Sequence, residues 1–277
     1  MPINIINPEE VQGGEQVAIF GDAGSGKTRL ACCACRANPA KYGKRALYFA
    51  LDPGTASLPS VMAADRPNLI PISFVPQAGK SLDPYDEMVQ ASKRDWRAEY
   101  PEVGSAILDT TTTLAGDILI AITNSGKFSD KHITIEASGP GKLMIPMRGD
   151  YRAAQFCVAN LIRFWQQQPL HVFMLFHSTI YEPEEGAADA IYGGPATVGK
   201  ASVRDIAAKF QTVIRTEGKT KTPTGETKPR MVFTAYTQPR GVWQAPKLRN
   251  SGTNPIPEVI LKEDPVDFWR AFDAAGK

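Results

Sequence analysis

The sequence predicts an α/β fold: a mostly parallel sheet with helices on both faces and a late antiparallel hairpin. Three observations carry this. Apolar runs of strand length alternate with helical patterns. A glycine-rich turn joins the first of those runs to an alanine-rich helix. Near the carboxyl end, FQTVIRT (210–216) and RMVFTAYT (230–237) are separated only by the polar tip EGKTKTPTGETKP, which predicts two antiparallel neighbours. A chain of 277 residues is long enough to bury a sizeable core, and one domain over 1–277 is expected, with its core at about 12–250 and a tail at 251–277.

In chain order, EQVAIFGDAGSGKTRLACCACRAN (15–38) reads as strand, turn and helix. The apolar run 46–51 predicts a buried parallel strand ending at Asp52-Pro53-Gly54. A proline-rich stretch, 59–84, predicts a strand and loop, and a helix is expected over about 84–99. VGSAILDTTTTL (103–114) is another buried strand, ending in Asp109. Residues 123–149, rich in Gly, Ser, Lys and Pro, predict an inserted loop. A helix from Asp150, as N-cap, to Gln168 places Phe156, Ala159, Ile162 and Phe164 near helical spacing. It leads into the strand LHVFMLFHS (170–178), a glycine-bearing loop (181–200) and a short helix near 202–209. DPVDFWRAFDAAG ends the chain as an amphipathic helix.

Composition excludes several classes. Hydrophobic residues at 43% and charged residues at 22% are those of a globular protein, and no apolar run approaches bilayer length. The first residues lack a basic segment followed by an apolar one, so a cytoplasmic protein, or one of a host's cytoplasm, is expected. Cys32, Cys33, Cys35 and Cys157 lack the paired spacing of a zinc site and read as small buried residues on helices. The net charge is only +2, yet residues 200–250 hold eleven Lys and Arg against three acids. Such an excess suits a polyanionic partner, or else a solvated surface.

The chemistry centres on GDAGSGKT, residues 21–28, which fits G-x-x-x-x-G-K-[ST] with Gly21, Gly26, Lys27 and Thr28. Asp22, Ala23, Gly24, Ser25 and Arg29 complete the candidate cradle for ATP. Backbone N–H groups in such a loop point at phosphate oxygens, with the following helix start adding its positive end. Lys27 is expected on the β- and γ-phosphates, and Thr28 on Mg²⁺. Asp109, at the carboxyl end of its strand, is the candidate for the metal's water shell. Thr110, Thr111 and Thr112 follow it, with no adjacent acid to polarise water. Asp52 is therefore the candidate general base, the alternative being that it only opens a turn. His177 is a candidate γ-phosphate sensor, or a structurally hydrogen-bonded histidine.

Together these residues resemble the RecA-like P-loop ATPases, most nearly the phage-encoded group of the AAA-domain family linked to single-strand annealing and recombination. Members of that group often carry a glutamate in a D-x-E-x-G segment, and Asp52 stands at that position in Ala50-Leu51-Asp52-Pro53-Gly54. An A-K-x-R segment is matched by Lys247 and Arg249, which the resemblance implies act on the triphosphate of an adjacent subunit. The resemblance implies a Mg²⁺-dependent ATP hydrolase that forms a homo-oligomeric ring or filament and binds single-stranded DNA. Phage single-strand-binding or recombination proteins are its implied partners, with no membrane.

By the same resemblance, 123–149 (Lys127, Lys131, His132, Lys142, Arg148) and 181–200 are candidate DNA loops, although Glu182, Glu184 and Glu185 oppose the first half of the second. Tyr192 is a candidate for stacking on a base or a packed loop residue, and Lys219, Lys221 and Lys228 form a candidate cationic finger. Three alternatives remain: a nucleotide-gated DNA-binding module with negligible hydrolysis, a helicase- or packaging-type motor, and a small-molecule phosphotransferase.

Overall fold

The computed structural model describes residues 14–52, 58–73, 84–128, 133–136, 142–182, 191–199, 202–222, 228–248, 258–261 and 264–275. The first strand, β1 (Gln16–Phe20), is wholly buried and runs into the glycine-rich turn. Helices α1 (Lys27–Cys32) and α2 (Ala34–Ala37) follow with only Cys33 between them, then α3 (Pro39–Tyr42), capped by the Asn38 side chain. Strand β2 (Arg45–Ala50) and strand β3 (Leu69–Ser73) precede α4 (Pro84–Ala91) and α5 (Trp96–Glu99). The helix expected over 84–99 is thus two: the Asp95 carboxylate accepts the Ala98 N–H at 3.0 Å and starts a new one.

Strand β4 (Val103–Asp109) ends at Asp109, and α6 (Thr111–Ser125) begins at once, capped by the Thr110 hydroxyl and closed by Gly126 at φ 65°. That helix, with the hairpin of β5 (Ile133–Glu136) and β6 (Lys142–Ile145), corrects the reading of 123–149 as a loop. Helix α7 (Arg148–Gln166), N-capped at Met147, starts three residues earlier than expected. Asp150 is not its N-cap but lies in the first turn, where its carboxylate accepts the Met147 N–H at 2.8 Å. Its buried face is Ala154, Val158, Leu161, Ile162 and Trp165, while Phe156 points outward, 68% exposed.

Strand β7 (His171–Phe176) is followed by a hairpin of β8 (Ser178–Tyr181) and β9 (Tyr192–Pro195) within the expected loop 181–200. Next come α8 (Val203–Ala208), β10 (Thr212–Lys221), β11 (Arg230–Tyr236), β12 (Glu258–Leu261) and α9 (Val266–Ala275). The main sheet has the order β12-β11-β10-β1-β7-β4-β2-β3, parallel from β10 to β3 and antiparallel at β11 and β12.

Strand side chains alternate between two cores. Ala18, Phe20, Leu47, Phe49, Leu108 and Met174 face α4, α6 and α7. Val17, Ile19, Tyr48, Ile107, Phe173 and Leu175 face α1, α2 and α9. The β-strands that carry the glycine-rich turn and Asp109 are separated by β7, so three strand ends open onto the same place. No helix among the described residues is long and apolar enough to cross a membrane.

Candidate functional site: a phosphate cradle at the strand ends

The turn between β1 and α1 is shaped by what glycine alone permits. A Cβ on Gly21 would lie 2.3 Å from the Thr216 carbonyl oxygen, so β10 could not approach so closely. Gly26 has φ 90°, the left-handed region, with the Phe233 ring at contact distance. Lys27 lies back across the loop, its Nζ donating to the carbonyl oxygens of Gly21 and Asp22, each at 2.9 Å. The Ser25 and Thr216 hydroxyls are 2.8 Å apart and tie the loop to β10.

Residues from four other places meet this loop. Thr28 Oγ1 donates to Asp109 Oδ2 at 2.6 Å, and the Tyr48 hydroxyl donates to the same oxygen at 2.7 Å. Asp52 Oδ1 accepts from Thr110 Oγ1 at 3.1 Å and from Thr113 Oγ1. The His177 N–H donates to Thr112 Oγ1 at 3.0 Å, and that hydroxyl donates to the Ala196 carbonyl at 2.6 Å. Ser178 Oγ donates to the Asp22 carboxylate. Residues 23–29 of the loop, Asp52, Asp109 and His177 all line one cavity of about 450 Å³, with Ser60, Thr110 and Phe233 completing its wall.

This is the strand-end geometry of a mostly parallel α/β sheet whose first strand runs into a glycine-rich turn. No protein-family model matches the chain, and no curated protein matches it by sequence. Among solved structures it is similar to the KaiC-like protein PH0186 of Pyrococcus horikoshii OT3, at 11% identity and TM-score 0.48, covering 92% of this chain and 88% of that one. It is also similar to the flagellar accessory protein FlaH of Methanocaldococcus jannaschii, at 12% identity and TM-score 0.42, covering 90% and 84% respectively.

The charges of the P-loop cavity are set by burial. Burial pushes the Asp109 carboxyl up, against the opposing effect of the Thr28 and Tyr48 hydroxyls. Burial also lowers Lys27, whose charge Asp109, Asp22 and Asp52 support. His177 is pushed below the usual histidine value, first by burial and then by Lys27.

The donor set fits a hard divalent cation completed by phosphate and water. Asp109 Oδ1 is buried with no hydrogen-bond partner, and the Thr28 hydroxyl stands beside the other oxygen of the same carboxylate. No group of three or more His, Cys, Asp or Glu among the described residues could hold a metal unaided, so the cation would depend on its phosphates. The backbone cradle and Lys27 likewise fit a triphosphate.

The expected residues divide clearly. Lys27, Thr28, Asp52, Asp109 and His177 come together with the loop 21–29. Lys247 does not: it lines a different cavity and pairs by its backbone with Val213. Arg249, Lys131, His132, Glu184 and Glu185 lie outside the described residues. Sequence reasoning missed Tyr48, Thr112, Thr113, Ser178 and Phe233. The run of threonines after Asp109 was the available signal, since consecutive hydroxyls beside a carboxylate can hold it by hydrogen bonds. Phe233 gave none, because only strand pairing brings β11 to the loop.

Proposed function

We propose that the chain is a Mg²⁺-dependent ATP hydrolase that works on single-stranded DNA. The observation that carries this reading is the convergence of Lys27, Thr28, Asp52, Asp109 and His177 on one cavity beside a glycine-rich phosphate cradle. Lys27 would leave its two carbonyl partners for the β- and γ-phosphates, exchanging neutral acceptors for charged ones. Thr28 and Asp109 would hold the cation, which when bound supplies charge neutralisation on the phosphate oxygens. Asp52, oriented by Thr110 and Thr113, would accept a proton from the attacking water. His177, tied through Thr112 to Ala196, would carry the state of the site to the hairpin β8–β9.

The DNA half of the proposal is supported by the basic excess in 200–250 and by exposed Lys219, Lys221 and Lys228 on the β10–β11 hairpin. The resemblance extends it to a homo-oligomer serving recombination, annealing or replication of phage DNA. The test is steady-state phosphate release from Mg–ATP with and without single-stranded DNA, for the parent and for Lys27→Ala. Turnover that the strand stimulates and Lys27→Ala abolishes is expected. Equal Mg–ATP retention by both proteins would remove the cradle from the account. Strand-dependent ATP binding without phosphate release would favour the nucleotide-gated module, a reading motivated by Asp52 at a position where relatives by resemblance carry the longer glutamate.

A further inference from the structure

A second cavity, of about 510 Å³, lies apart from the P-loop, and none of its lining residues belongs to the phosphate cradle. Its walls are α8, the start of β9 and the segment 237–248, and it presents Arg204, Lys247, Thr237, Tyr192, Gln238 and Gln244. We propose that this cavity is a second phosphate-binding site, taking the phosphate group of a nucleotide, free or within a strand.

Four observations carry it. The described lining includes two cations and no carboxylate. Lys247 is half-buried and, among the described residues, forms no ion pair, so burial alone moves it, downward from the usual lysine value. Partial burial without an anion costs that cation some of its hydration, and an incoming phosphate offsets the loss. Thr237 is 1% exposed, lines the cavity, and its hydroxyl has no hydrogen-bond partner. A buried orphan hydroxyl in the wall of a cavity that also presents two cations is an arrangement that an oxyanion can complete. The Arg204 guanidinium lies 5.3 Å from the Tyr192 ring centroid and 5.9 Å from that of Tyr181, which places it beside the aromatic wall.

The cavity is also held open in advance. Segment 237–248 is not a free loop: Arg240 and Trp243 bond each other at 3.0 and 3.1 Å, and the Gly193 N–H donates to Val242 O at 2.7 Å. At its far end Val213 and Lys247 exchange both backbone hydrogen bonds, at 2.8 and 3.0 Å. Trp243 covers Gly193 so closely that a Cβ there would meet its ring at 2.5 Å. Little ordering is left for a ligand to impose. The volume is that of a small-molecule site and accommodates one nucleotide.

The test uses the full chain carrying Lys27→Ala, which weakens phosphate binding at the P-loop. Equilibrium dialysis would be run with dTMP and with a twelve-residue oligothymidylate at two salt concentrations. One dTMP bound per chain identifies a free nucleotide as the source; binding of the oligonucleotide alone identifies the strand's phosphodiester. In either case Lys247→Gln and Thr237→Val are each expected to weaken binding about tenfold. Thr237→Val is nearly isosteric and removes a hydroxyl that has no partner, so the melting temperature of the empty protein should not fall. Binding of neither probe, or binding that both substitutions leave unchanged, overturns the proposal. The P-loop reading is judged separately, by Mg–ATP retention in the parent, and the two can fail independently.

Discussion

Asp109 uses its two carboxylate oxygens unequally: Oδ2 accepts hydroxyl protons from Thr28 and Tyr48, while the buried Oδ1 accepts none. Because burial raises its pKa, the folded chain binds that proton more tightly than the unfolded chain does. Stability therefore falls as pH climbs from the ordinary carboxyl value through the raised one, and above it the full cost is present. Asp109→Asn keeps an acceptor for both hydroxyls and removes the buried charge. We expect it to raise the stability of the empty protein by about 1 kcal/mol at neutral pH, the usual sign of a strained functional residue. Mg–ATP turnover should drop by at least about a hundredfold; calorimetric melting and phosphate release measure the two effects. Asp52→Asn makes the contrasting case. Its partners Thr110 and Thr113 can still donate, so ATP binding should persist while turnover falls about a hundredfold or more, the range of a lost general base. A turnover loss matched by equal loss of binding would assign Asp52 to positioning instead.

At the level of elements, the helix α9 is fastened to the P-loop helix by named contacts. The Trp269 Nε1–H donates to Leu30 O at 2.7 Å, and its ring packs edge-on against Tyr42, Phe173 and Phe268. Arg36 Nη1 meets Asp264 and its Nε meets the fully buried Asp65, each at 2.5 Å. Arg36 holds Asp264 below the usual carboxylate range, so that contribution is complete above the ordinary value and is lost as pH falls through the depressed one. Protection of the Trp269 indole N–H against hydrogen exchange should fall over that acid window, and Arg36→Ala should remove the pH dependence. The same substitution strands Asp65 without its cation and should cost about 3 kcal/mol in denaturant melts. The Trp269–Leu30 and Arg36–Asp264 fastenings connect residues more than 200 positions apart, and for that reason they were illegible in the chain. Local signals were read well where an unbroken apolar run marks a buried strand, as for β1, β2, β4 and β7. They failed at α6, where a run of β-branched threonines favours a strand by propensity, yet the Thr110 cap and Gly126 stop impose a helix. Asp150 misled for a related reason, since the same carboxylate serves an N-cap or a third helical position and only the backbone decides which. In the site, the motif exposed the cradle, while Tyr48 and Phe233 were hidden because strand register alone brings them near.

For the whole molecule, the decisive arrangement is that the basic hairpin rests on the glycine-rich loop proposed to hold phosphate. A Cβ on Gly26 would lie 3.0 Å from the Phe233 ring of β11, and one on Gly218 of β10 would lie 3.3 Å from Gly24 O. Beyond these contacts the two strands continue to Lys221 and Arg230, carrying exposed Lys219, Lys221 and Lys228 outward. An occupant of the cradle and an occupant of the hairpin are therefore mechanically adjacent, and any bias that one exerts on the other must be reciprocal in binding free energy. Lys219 is partly engaged by Glu217 at 2.8 Å, which leaves Lys221 and Lys228 as the cleaner probes. The double substitution Lys221→Glu, Lys228→Glu should weaken single-stranded DNA binding and lower the salt slope by roughly two, one for each lost phosphate contact. Intrinsic Mg–ATP affinity without DNA should be unchanged, because neither side chain lines the cradle's cavity. In the parent, Mg–ATP should change the affinity for the strand, and the strand should change the affinity for Mg–ATP by the same factor. Fluorescence anisotropy of a labelled oligonucleotide, titrated with and without nucleotide, reads both halves of that cycle. A salt slope that survives the substitution intact would move the strand off this hairpin.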